Sequence, residues 1–148
     1  MKNYSKKAIE NFRQGYNCAQ SVLLAFEDKI PFDKETILKL SSSFGAGMGR
    51  MREVCGAISA MFMIAGLKKG YISANDDETK KQHYEYIQML AKKFKESYGT
   101  IICRELLKLE DKTFSPTPEK RTDEYYKNRP CEKIIEQAAK IIEENILD

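Results

Sequence analysis

The stretch Phe44-Gly45-Ala46-Gly47-Met48-Gly49-Arg50-Met51-Arg52-Glu53-Val54-Cys55-Gly56-Ala57, with the apolar run that continues to Leu67, decides how the chain is read. Glycines at alternate positions from Gly45 to Gly49 cannot form a stable helix interior, because each costs about 1 kcal/mol there relative to alanine. Residues 54–67 are nevertheless apolar or small almost all round. The pattern predicts a loop feeding a buried helix that starts near Arg52 or Glu53, with Cys55 in its first turn. Free N–H groups at a helix start carry about half a positive charge and favour a thiolate. A phosphate-cradling role for the loop is set aside, since the Lys-Ser/Thr of a P-loop is missing and no strand precedes it.

Upstream, Ile9, Phe12, Tyr16, Ala19, Leu23 and Phe26 recur at spacings of three and four, which predicts one amphipathic helix over residues 5–28. Cys18 then falls mid-helix at the edge of that stripe, with Gly15 one turn before it. Pro31 breaks the pattern, and Asp33 is placed to cap a short second helix carrying Ile37, Leu38 and Leu40.

Downstream, Lys68-Lys69-Gly70 has the cations and glycine of a helix end. The polar run Ser73-Ala74-Asn75-Asp76-Asp77-Glu78 offers a cap for a fourth helix with the face Tyr84, Ile87, Ala91, Phe94 and Tyr98, ended by Gly99. His83, the single histidine, is read as partly exposed or structural before it is read as a ligand. Thr100 caps a short fifth helix with Cys103 in its first turn. Residues 110–129 hold Pro116 and Pro118 without a sustained period, predicting a long surface loop with at most a helical turn near Tyr125-Tyr126. Pro130 suits the first position of a last helix, on which Cys131 shares a face with Ile135, Ala138 and Ile142.

No segment alternates as a half-buried strand does, so the fold class is all-α: a single-domain helical bundle of about five or six helices spanning 1–148. A chain of 148 residues that is 42% hydrophobic has material for one such core. A net charge of +3 is too weak to argue for nucleic acid as a partner. The apolar run falls short of the roughly 20 residues that span a bilayer, so no membrane partner is expected. The N-terminal residues lack the apolar core of a secretory signal, which gives a cytoplasmic expectation. In that reducing compartment, four cysteines are thiols, metal ligands or redox groups before they are structural disulfides.

Cys55, Cys103 and Cys131 thus fall in predicted first turns, while Cys18 does not. No Cys-x-x-Cys pair occurs, so a shared site has to be assembled by the fold. If the four meet, their thiolates carry four negative charges, of which a zinc ion or an oxidised two-iron cluster would leave about two. Converging helix N-termini would supply the compensation, and so would arginines. Arg13, Arg50, Arg52, Arg104 and Arg129 each lie within five positions of a cysteine, and Arg121 does not. Against this stands the reading of the cysteines as small buried hydrophobes.

Four residue groups carry a resemblance that runs over essentially the whole chain. They are Gly15-Tyr16-Asn17-Cys18-Ala19-Gln20, the glycine loop leading to Cys55-Gly56-Ala57, Cys103-Arg104-Glu105-Leu106-Leu107, and Cys131 before a terminal amphipathic helix. In these the chain resembles the redox-active family named for its C_GCAxxG_C_C pattern, departing from it at Ala60, where the pattern has glycine. The resemblance implies a redox or metal role without supplying a substrate.

The leading expectation is that Cys18, Cys55, Cys103 and Cys131 form one redox centre, with an iron–sulfur cluster as cofactor and electron transfer to a redox partner protein as the task. Gly47, Gly49 and Gly56 would shape the loop and helix start at that site. The alternatives are a metal-free thiol–disulfide oxidoreductase using the same cysteines, and a zinc-stabilised interaction module. Covalent haem is not expected, because no Cys-x-x-Cys-His motif occurs.

Overall fold

The computed structural model describes residues 3–109 and 115–147. The protein is 68% helical, has no strand among the described residues, and contains six helices of seven residues or more in one compact domain. The helices are α1 (Tyr4–Arg13), α2 (Cys18–Ala25), α3 (Lys34–Ser42), α5 (Gly56–Lys69), α6 (Asp77–Tyr98), α7 (Cys103–Leu106), α8 (Asp123–Asn128) and α9 (Cys131–Asn145), with α4 (Gly45–Met48) a short turn of left-handed backbone and a 3-10 turn at Glu27–Lys29.

The core is centred on α2, which packs against α1, α3, α5 and α9. Phe12, Leu23, Phe26, Ile58, Met61, Ile64, Ile135 and Ile142 are fully buried in it. The all-round apolar character of residues 54–67 is explained by that place: α5 is buried along most of its length and ends at Lys69, as its terminal cations indicate. The expected caps are also present, with Asp33 accepting from the Thr36 amide and Asp76 from the Thr79 amide. Of the expected face of α6, Phe94 is buried, but Tyr84 is exposed and Leu90 takes an inward position instead.

The single helix expected over residues 5–28 is two helices. α1 stops at Arg13 and α2 begins at Cys18. The break has a local cause that the apolar stripe hides. Asn17 accepts from the Gln20 amide while the Gln20 side chain accepts from the Asn17 amide, a reciprocal capping box. Gly15, at φ +110°, supplies the left-handed turn before it. Cys18 is therefore the first residue of a helix, not a mid-helix residue.

The buried helix α5 also starts later than expected, at Gly56, with Cys55 as its N-cap. Residues 52–55 are drawn out of the helix by pairing with residues 101–104. Val54 and Ile102 form an isolated antiparallel bridge. The Cys55 amide donates to the Ile101 carbonyl at 2.8 Å, the Cys103 amide to Glu53 at 2.6 Å and the Arg104 amide to Arg52 at 3.2 Å. The short helix α7 follows at once, with Thr100 accepting from the Ile102 amide rather than acting as its N-cap.

The glycine loop is the most unusual backbone in the chain. Ala46, Gly47, Met48, Gly49 and Arg50 are five consecutive residues with φ between +52° and +71°, and Arg52 follows at +60°. Non-glycine residues there cost roughly 1–2 kcal/mol each, an expense that tends to persist where the surroundings enforce it for function. The loop reverses the chain tightly enough that the Glu53 amide reaches the Gly47 carbonyl at 3.0 Å.

Gly47 has a second constraint: a Cβ there would lie 2.7 Å from both the Cys103 Cβ and the Glu53 nitrogen. Gly66, inside α5, would place a Cβ in open space. Gly47→Ala is therefore expected to destabilise the fold by about 1–3 kcal/mol, and Gly66→Ala to stabilise it by about 0.5–1 kcal/mol. Urea unfolding of the two variants checks both signs; equal midpoints would show that the loop accommodates the methyl group.

Candidate functional site

The fold brings all four cysteines to the wall of one cavity of about 290 Å³. Each arrives on a helix start: Cys18, Cys103 and Cys131 are the first residues of α2, α7 and α9, and Cys55 caps α5. Three causes set this placement. The Asn17 capping box begins α2 at Cys18. The bridge between Val54 and Ile102 sets Cys55 beside Cys103. Gly56 lets α5 close on α2, since a Cβ there would stand 2.9 Å from the Ala19 nitrogen. Gly47 makes room for Cys103, whereas Gly49, with no neighbour closer than 3.9 Å to a built Cβ, contributes its left-handed φ of +57°.

All four thiols are free; Cys55, Cys103 and Cys131 are buried and Cys18 is half-buried. Cys18 and Cys131 lie close enough to interact, and that interaction splits their acidities. It pushes the Cys18 thiol well up, with burial adding to the effect. It holds Cys131 below the usual thiol range, where Arg129, Arg121 and Arg52 oppose the effect of burial. Cys55 is pushed up to about 12, mainly by burial, although the amides of Ala57 and Ile58 pull it partway back without closing a cap hydrogen bond. Burial also raises Cys103, while Arg52, whose guanidinium donates to its Sγ at 3.6 Å, works against it.

The arginines divide in a way that spacing along the chain does not show. Arg13 pairs with Glu132, and Arg104 with Glu53. Arg50 and Arg52 line the cavity, and so does Arg121, the arginine farthest in sequence from any cysteine. Arg121 donates to the carbonyls of Phe12 and Tyr16 and lies over the Phe12 ring at 4.3 Å. Glu119, also missed from sequence, lines the cavity and is ion-paired with Arg129 and, at 4.0 Å, with Arg52. The only available signal for these residues was a Glu-Lys-Arg triplet in a polar loop. His83 lies elsewhere, against the rings of Tyr71 and Tyr86.

As donors, four thiols among helix starts and arginines fit a thiolate-bound cationic group. Among the described residues, no three His, Cys, Asp or Glu side chains are gathered at the spacing that holds a single ion.

Glu119 gives the site a titration signature. Its carboxyl is held below the usual range, chiefly by its hydrogen bond to Arg129. The stability this contributes is present above the unfolded value and is lost as pH falls through the lower folded one. Wild type is thus expected to melt above Glu119→Gln at neutral pH, with the gap closing as pH drops below 4.5. Melting curves against pH check this; a constant gap would contradict it.

Comparison with known proteins gives one positive finding. The model of the family described as "Putative redox-active protein (C_GCAxxG_C_C)" matches residues 16–145, a span that includes all four cysteines. No curated protein and no solved structure matches the chain.

Proposed function

The chain belongs to the C_GCAxxG_C_C family, and on that premise we propose that Cys18, Cys55, Cys103 and Cys131 act together as one redox centre that holds an iron–sulfur cluster. The observation that carries this reading is that four cysteines from four separate segments, each at a helix start, line the same cavity. When bound, such a cluster supplies one-electron transfer.

The chain's own residues do the rest. The four thiols serve as ligands from four different helices, so holding the group also ties α2, α5, α7 and α9 together. Helix N-termini and Arg52 face the negative charge that remains on the sulfurs, and donors to sulfur raise the potential of such a centre. The buried core around Phe12 and Ile134 keeps one side of the cavity dry.

A second reading is favoured by the closeness of Cys18 and Cys131, which interact strongly enough to split their acidities and line the same cavity. As a dithiol, the pair would reduce a disulfide in a partner protein. The Cys131 thiolate attacks one sulfur and releases the other as a thiol; Cys18 then displaces the second, leaving a Cys18–Cys131 disulfide after transfer of two electrons and two protons. A zinc-stabilised module ranks below both, because the core is complete without a metal.

Anaerobic purification, absorption spectroscopy and iron and sulfide analysis distinguish these readings. The cluster reading predicts a coloured protein, or one that colours on reconstitution, and loss of most bound iron in each single Cys→Ser variant. Colourless protein after reconstitution, with a disulfide confined to Cys18 and Cys131 after oxidation, would replace it with the second reading.

A further inference from the structure

One wall of the cysteine cavity is built differently from the others. Pro116, Pro118, Glu119 and Arg121 line it from a segment, residues 115–121, that has no regular secondary structure. Residues 115–120 are exposed on their outer side. Among the described residues, no backbone–backbone hydrogen bond joins this segment to the helices that carry the cysteines. Among the described residues, its side-chain hydrogen bonds and ion pairs to the rest of the chain all involve arginines.

Three clasps are present. The Arg50 guanidinium donates to the Ser115 carbonyl at 2.8 Å. Arg52 and Arg129 both reach the Glu119 carboxylate. Arg121 donates to the carbonyls of Phe12 and Tyr16, at 2.9 and 3.1 Å, near the end of α1. In the middle clasp the Arg52 and Arg129 side chains are only 12% and 18% exposed, and Glu119 is 42% exposed. Two prolines in four residues fix φ and remove two amide donors, which makes the segment stiff and leaves it little to pair with except through these side chains. A wall fastened by side-chain clasps, the middle one an ion pair, can be lifted without unfolding a helix.

We infer that residues 115–121 form a latched strap over the four-cysteine cavity, with Glu119 as the latch, and that parting of the Glu119 clasp admits the group or partner that meets the thiols. Arg52 links the latch to the site, because the same guanidinium that reaches Glu119 also donates to the Cys103 sulfur. The strap does not depend on whether the thiols hold a cluster or exchange disulfides.

The test alkylates the full chain, reduced and treated with chelator, with N-ethylmaleimide under native conditions, and reads each cysteine by peptide mass spectrometry. Glu119→Gln is expected to speed modification of all four cysteines together, by roughly threefold or more. Raising the salt concentration should move wild type toward the variant and leave the variant unchanged. Equal rates in the two proteins would overturn the strap. So would an increase confined to Cys103, which would show Glu119 acting through Arg52 on one sulfur rather than as a latch. Neither result bears on metal content, so the strap and the cluster reading can fail separately.

Discussion

The short backbone exchange between residues 52–55 and 101–104 is the contact from which the cysteine cavity follows. It lines up the carbonyls of Arg52, Glu53 and Ile101 with the amides of Arg104, Cys103 and Cys55. Two cysteines almost fifty residues apart in sequence are thereby fixed as neighbours. The exchange is reachable only because the chain before it runs left-handed from Ala46 to Arg50. Gly47, pressed against Cys103, allows the loop and the exchange to occupy the same space. The strain of that loop and the close approach at Gly47 are thus two sides of one constraint.

From that contact outward, the site is built by helix starts. A helix N-terminus offers free amides and partial positive charge, and four of them meet where four sulfurs do. The arrangement suits an anionic sulfur site better than a core filled with small hydrophobes. Burial raises Cys55 and Cys103 above the usual thiol range, while Cys131, beside Cys18 and facing Arg129, Arg121 and Arg52, is lowered.

Much of this was legible in the sequence, for reasons that can be named. The apolar run after Cys55, the caps at Asp33 and Asp76 and the stripe of the last helix each report on local physics, and each gave the right element. The break at Gly15 was hidden because the stripe from Ile9 to Phe26 keeps its period across two helices that bury the same side. The Asn17 and Gln20 pair was the stronger signal, and it would have placed Cys18 at a helix start like the other three. The pairing of residues 52–55 was not legible, since one bridge between distant segments leaves no period. Arg121 and Glu119 were missed for the same reason: their partners are Phe12, Tyr16, Arg52 and Arg129, of which only Arg129 is close by in the chain.

That all four cysteines serve one centre is the central claim, and X-ray absorption at the iron edge of anaerobically reconstituted protein tests it most directly. The predicted result is iron surrounded by sulfur alone, with iron neighbours beyond, and oxygen entering the first shell when any one of the four cysteines is replaced by serine. Iron held by oxygen or nitrogen in the wild-type chain, or a spectrum indifferent to one of the four substitutions, would contradict it.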